Sequence, residues 1–239
     1  MSNLLETVIE AHGGIDRWNE IQEITAKIIS SGALFILKGQ ADAADTSEAY
    51  VRTHSPYTER RPFKKVGQYS VFEPQKVAIK TDDGAVVAVR ERPRAAFAGH
   101  ALHTPWDDLH LTYFRGYAIW EYLTTPFLFK MPGFQSEEID KWEEEGETWQ
   151  RLKVTFPASV PSHCTEQIFY FDQEAMLRRH DYSTYDIGGS EAANYASDYV
   201  SFDGIKLPTK RRVYRRDSNN MPVKDTVFVS IDIENPRAI

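Results

Sequence analysis

Cysteine is almost missing from this chain: one residue, Cys164, stands among 239. A lone thiol excludes an internal disulfide, and secreted domains usually carry even cysteine counts, so a reducing compartment is the expectation. Long apolar runs are missing too. The richest stretch, Trp106 to Phe129, is broken by Asp107, Asp108, Arg115, Glu121 and Pro126, and nothing approaches the roughly 18–20 apolar residues that cross a bilayer. Stable membrane insertion is therefore not expected. The opening MSNLLETVIEAHGGIDRW has neither a basic n-region nor an unbroken apolar h-region, which argues against a signal peptide and for a cytoplasmic location.

Positive charge is in the minority. Lys and Arg number 28 against 35 Asp and Glu, a net charge of −7, which opposes nucleic-acid binding. Two basic runs exist, Arg60-Arg61-Pro62-Phe63-Lys64-Lys65 and Lys210-Arg211-Arg212-Val213-Tyr214-Arg215-Arg216, and the second reads as a strand whose charges stay solvated or blunt a sheet edge. There is no G-x-S-x-G elbow, no phosphate-cradling glycine loop and no dinucleotide fingerprint, and Gly188-Gly189 reads as a turn. Hydrolase, kinase and Rossmann dehydrogenase readings lose support, and no cofactor is expected. No histidine spacing matches a metal-ligand pattern such as H-E-x-x-H, so no metal site is expected. Repeats, low-complexity segments and flexible linkers are absent, so residues 1–239 read as a single domain.

What is present is a period of two. Ile24, Ala26 and Ile28 alternate with polar neighbours, and Ala33 to Leu37 reads as a continuation of that strand. Further strands read at 48–53, 69–73, 75–80 and 86–90, with Asp82-Asp83-Gly84 as a hairpin turn. The second half repeats the pattern at 137–142, 147–156, 164–171, 176–185, 192–202, 207–216 and 223–233. Two segments follow a helical period instead. Asn3 caps a first helix with the stripe Leu4, Leu5, Val8 and Ile9, ended by Gly13-Gly14. Thr104-Pro105-Trp106-Asp107 caps a second, running to Leu123 and stopped by Thr124-Thr125-Pro126, with aromatic residues on most sides. The fold class expected is mainly β: a strongly curved antiparallel sheet, a half-barrel of about ten or eleven strands. An N-terminal helix and a central helix would cover an apolar cavity.

The order of Phe169-Tyr170-Phe171-Asp172, Leu177-Arg178-Arg179-His180-Asp181-Tyr182, Tyr195 to Tyr199, Phe202-Asp203-Gly204-Ile205 and Leu207-Pro208-Thr209 resembles the lipoprotein-carrier superfamily of LolA- and LppX-like half-barrels. Ala11-His12-Gly13-Gly14 followed by Trp18 is similar to the opening of related bacterial proteins. The resemblance covers about two-thirds of the chain as pattern and implies a sheet holding acyl chains against a helix. It carries no functional residue across, because no site motif matches.

Candidate site residues cluster at the central helix. Asp107 and His110 lie three apart on one helical face, as an orienting carboxylate and a general base would. Trp106, Tyr113, Tyr117 and Trp120 form an aromatic stripe suited to an apolar or planar ligand, with His103 nearby. On the strand from Leu177 to Tyr185, Arg179 and Asp181 share one face, and His180 and Tyr182 the other. Arg179 or Arg211 could hold the anionic or carbonyl end of a ligand, although a solvated face is the plainer reading of those charges. Cys164 beside His163 points to the opposite face and reads as structural. Two functions follow. The first is a cytoplasmic binding protein for an apolar or aromatic small molecule, a lipid or a secondary metabolite. The second is a cofactor-independent enzyme on a hydrophobic substrate, with His110 and Asp107 as acid–base pair and Tyr113 or His180 polarising a carbonyl.

Overall fold

The structure, a computed structural model, describes residues 3–239. Helices α1 (Leu4–Ala11) and α2 (Ile15–Glu20) precede one antiparallel sheet. Its first six strands are β1 (Glu23–Ser31), β2 (Thr46–Arg52), β3 (Thr58–Arg61), β4 (Gln68–Glu73), β5 (Lys76–Thr81) and β6 (Val86–Glu91), with helix α3 (Ala33–Leu37) between β1 and β2. Helix α4 (Asp108–Thr124) then leads to β7 (Gln135–Glu144), β8 (Glu147–Thr155), β9 (Glu166–Phe171), β10 (Leu177–Ser183), β11 (Glu191–Phe202), β12 (Ile205–Arg216), β13 (Pro222–Val223) and β14 (Val229–Ala238).

The strand order is β6-β5-β4-β3-β2-β1-β14-β12-β11-β10-β9-β8-β7, with β13 paired to β12. The chain therefore starts at the middle of the sheet, works out to one edge, crosses to the opposite edge, and works back until β14 pairs with β1. The crossing segment has to span a face of the sheet, and α4 is the helix within it. That topology explains why a helix with so little amphipathic contrast is stable: every residue from His110 to Thr124 is buried, as a helix apolar on all sides requires. Gly116 marks its closest approach to β4, where a Cβ would overlap the Phe72 side chain, and the Thr58 hydroxyl donates to the Gly116 carbonyl at 2.9 Å.

Charge fastens the helix as well as grease. Arg115 from α4 donates to Asp45, at 2.9 Å through Nη1, and Arg60 from β3 reaches the same carboxylate at 3.4 Å while bonding the Ser47 hydroxyl. At the N-terminus Asn3 caps α1 through a 2.9 Å bond from the Glu6 amide, and Leu4, Leu5, Val8 and Ile9 are buried. Among the described residues no helix is long and apolar enough to cross a membrane.

Four sequence expectations change. Ala33–Leu37 is a helix, not strand: Gly32, at φ +132°, sits against the Phe228 carbonyl where a Cβ would collide, and the chain leaves the sheet there. Helix α4 starts at Asp108 under an Asp107 cap, because Thr104 spends its hydroxyl on the Ala101 amide at 2.9 Å. Residues 223–233 are not one strand, since β13 ends at Val223 and β14 begins at Val229. The sheet also has fourteen strands rather than ten or eleven, partly because the short β3 ends within the first basic run, at Arg60 and Arg61.

Candidate ligand site beneath the central helix

Between α3, the start of α4 and the far flank of the sheet lies a narrow apolar slot with about 30 Å³ of free space. Leu34, Trp106, Phe114, Ala192, Val213 and Val229 contribute walls and floor, and Tyr182 closes its inner end. Lys38 guards the rim. Its buried Nζ donates to the Ala101 and Gly188 carbonyls at 3.0 and 2.8 Å and lies 5.2 Å from the Trp106 ring. Burial brings this amine down to about 8. These bonds tie the loop between β10 and β11 to the segment before α4.

Side chains two apart on a strand share a face, so three slot residues have deeper companions. Tyr182 is followed inward by His180, Ala192 by Asn194, and Val213 by Arg211. All three deeper residues are 1 % exposed or less, and they face α4, which adds Tyr117, Glu121 and Tyr122. His163, from the loop before β9, stacks on Tyr182 at 3.8 Å and lies 3.1 Å from the Tyr117 hydroxyl through Nδ1. His180 stacks on Phe169 at 4.1 Å and hydrogen-bonds Gln167. Arg211 lies over the Tyr122 ring at 4.3 Å.

This interior cluster is poorly satisfied. Neither oxygen of Glu121 accepts a hydrogen bond, neither side-chain amide atom of Asn194 has a partner, and Arg211 Nε, Arg211 Nη2 and His163 Nε2 have none. The nearest nitrogen to Glu121 is His180 Nε2 at 3.4 Å, already committed to Gln167. Among the described residues no carboxylate lies within ion-pair distance of Arg211. Buried groups of this kind are normally paired with protein, ordered water or ligand. Burial, only partly opposed by Arg211, pushes the Glu121 carboxyl up to about 8. Burial also holds His163 and His180 well below the ordinary imidazole value, with Arg211 adding to the effect on both. At neutral pH the cluster therefore consists of a protonated acid, two neutral imidazoles and one guanidinium.

The expected site residues divide. Tyr117, His180 and Arg211 meet in the interior cluster, and Trp106 lines the slot. Tyr113 faces a second, more open groove with about 470 Å³ of free space, which Arg92, Arg94, Phe156, Val160 and Cys164 also line. Trp120 turns the other way and donates to the Arg52 carbonyl at 2.8 Å. His103 is exposed and lines neither space.

Asp107 and His110 form the cap of α4. The Asp107 carboxylate accepts the Leu109 and His110 amides at 3.0 and 2.8 Å and pairs with Arg90. Burial raises this carboxyl, but the Arg90 bonds and the His110 amide outweigh it and hold the group at about 2. Both imidazole nitrogens of His110 have partners, Nδ1 at the Asp107 amide and carboxylate in that cap and Nε2 at the Ala96 carbonyl of the preceding turn, 3.1 Å away. Neither nitrogen faces the slot.

Arg179 lies on the opposite face of β10 from His180, and it is not solvated. It bonds Asp181 at 2.7 and 2.8 Å, Glu144 at 2.6 Å and the Asn220 carbonyl at 2.5 Å. Arg211 is equally buried, so the solvated-face reading fails for both arginines. Glu121, His163, Asn194 and Lys38 were not singled out from the sequence. Glu121 left a signal, an acid in the middle of a helix apolar on every side. Among the described residues no group of three or more His, Cys, Asp or Glu is placed to hold a metal ion.

No protein-family model and no curated protein matches the sequence. Solved structures do match. A DUF1329 family protein from Desulfovibrio piger superposes with a TM-score of 0.53 at 13 % identity, covering 98 % of this chain and 91 % of its own. A LolA superfamily protein from Nitrosomonas europaea gives 0.51 at 9 % identity, covering 98 % and 93 %. A domain from Vibrio parahaemolyticus named for outer-membrane lipoprotein sorting gives 0.53 at 12 %, covering 99 % and 93 %. At these identities the likeness concerns architecture, and on that level the result is plain: the chain has a LolA-like fold, a curved antiparallel half-barrel wrapped around a helix.

Proposed function

We propose that this protein binds an amphipathic small molecule in the hollow of its half-barrel, with the apolar body in the slot and the polar end directed at the buried cluster. One observation carries the reading: two slot-lining residues, Ala192 and Val213, are followed along their strands by Asn194 and Arg211, buried polar groups with unpartnered atoms. Ligand pockets typically pair apolar walls with a few convergent polar groups in this way. The fold supports it, since neighbours of the same architecture are named for the LolA superfamily and for lipoprotein sorting. The lone cysteine fits a reducing, cytoplasmic setting for that role. A carrier is favoured over an enzyme with the His110–Asp107 pair, because His110 Nδ1 is taken up in the helix cap and Nε2 lies at the Ala96 carbonyl.

Filling the slot tests the proposal. Ala192→Phe places a ring where the slot narrows, and overpacking of this sort costs about 1–3 kcal/mol of stability. Delipidated protein titrated with an apolar fluorescent probe should show saturable binding, weakened at least severalfold in the variant. Equal binding by both forms, with the variant folded, would remove the slot as the site.

A further inference from the structure

The proposed function leaves open what the polar end of the ligand is, and the cluster's chemistry narrows it. Resting on that reading, we infer that the ligand is a carboxylic acid that enters head-first past Tyr182, its carboxylate received by Arg211 and Asn194, which follow the slot residues Val213 and Ala192 along β12 and β11.

Geometry supplies the first support. Arg211 stands two residues along β12 from Val213 in the slot wall, and Asn194 two along β11 from Ala192, which is about 7 Å deeper in each case. Asn194 pairs with Val213 and Ala196 with Arg211 across the two strands, so Asn194 and Arg211 are diagonal neighbours on one face. Their unpartnered donors, Arg211 Nε and Nη2 and Asn194 Nδ2, are the kind that a two-oxygen acceptor satisfies, and a guanidinium fork matches a carboxylate in particular.

Charge supplies the second. Arg211 is fully buried without an ion pair, and an uncompensated buried charge is costly. Each other buried guanidinium has a carboxylate at hand: Arg60 and Arg115 share Asp45, and Arg179 has Asp181 and Glu144. Glu121 does not fill that role while protonated. In that state it donates a hydrogen bond to an incoming carboxylate instead of repelling it. An alcohol or ester head would satisfy fewer donors and leave the positive charge unmatched.

The test compares three probes of one chain length on the wild-type protein by calorimetry at pH 7: decanoic acid, decanol and methyl decanoate. The acid should bind about tenfold or more tightly than the other two, as expected for charge-assisted hydrogen bonds. Arg211→Met should erase that preference while retaining ester binding, and Arg60→Met should leave it intact. Equal affinities for all three probes overturn the head-first carboxylate and leave the binding function standing. No binding of any probe removes the function along with it. A preference that vanishes in Arg60→Met and survives in Arg211→Met would place the head group elsewhere and also overturn the inference.

Discussion

Two arginines sit on opposite faces of the same sheet, both essentially without solvent contact, and their surroundings differ completely. Arg179 faces away from α4, and each of its three guanidinium nitrogens is bonded, to Asp181, Glu144 and the Asn220 carbonyl. Tyr170 adds a 2.7 Å bond to Asp181, and Arg216 a further 2.8 Å ion pair. Arg211 faces α4 and keeps two nitrogens unbonded, in a cluster where Glu121 and the Asn194 amide have no partner and His163 lacks one at Nε2. The first arrangement is finished by the protein itself. The second keeps atoms that no described residue satisfies. Burial alone would not have told them apart; the hydrogen-bond inventory does.

The largest effect should come from breaking the finished network. Arg179→Met takes the shared cation from two buried carboxylates, leaving Asp181 with Arg216 and Tyr170 and Glu144 with Trp142 and Tyr195, and is expected to cost about 3 kcal/mol in urea unfolding, with decanoate affinity unchanged in the fraction that stays folded. A loss of binding without a loss of stability would reverse the two roles.

Next in size is Glu121. Its folded value of about 8 lies above the ordinary carboxyl value, so the folded state holds a proton that the unfolded chain releases between about pH 4.5 and 8. Stability contributed by that proton is complete below the lower limit and falls as pH rises through the window. Glu121→Gln should therefore stabilise the protein at pH 7, by up to about 3 kcal/mol, and flatten the decline on the alkaline side. His12 produces the opposite limb. Burial lowers it to about 4, so the unfolded chain takes up its proton first and stability falls as pH drops from about 6.5 towards 4. His163 and His180 act in the same direction. Thermal unfolding across pH 4–9, wild type against Glu121→Gln and His12→Gln, reads both limbs; an unchanged alkaline limb in Glu121→Gln would count against a protonated acid under α4.

The smallest effect sharpens the comparison at the helix cap. Asp107→Ala removes the acceptor of two amides and should cost about 1 kcal/mol, with decanoate binding reduced little. A collapse of binding with intact stability would restore Asp107 and His110 as site residues.

How much of this was legible in the sequence depends on what alternation can say. A period of two told which residues share a face: Arg179 with Asp181, His180 with Tyr182, and so it proved. It could not tell which face turns towards α4, because both faces of β10 are buried, one by the helix and the other by the Trp142–Tyr170 side and the turn at Asn220. The plainer reading of wet strand charges failed for that reason. The α1 cap, the stop of α4 at Thr124 and the hairpin at Gly84 were local and readable. The departure at Gly32 depended on the Phe228 carbonyl, nearly two hundred residues away. Glu121 was visible as an interruption of an apolar stretch, yet its meaning required knowing that the helix is covered on all sides.

The most direct measurement uses isotope-edited nuclear Overhauser contacts between bound decanoate and aromatic side chains. The account predicts methylene contacts to Trp106, Phe114 and Tyr182, with the carbons nearest the carboxylate closest to Tyr122 and His180. Contacts confined to Tyr113 and Phe156, in the open groove on the other side, would contradict it.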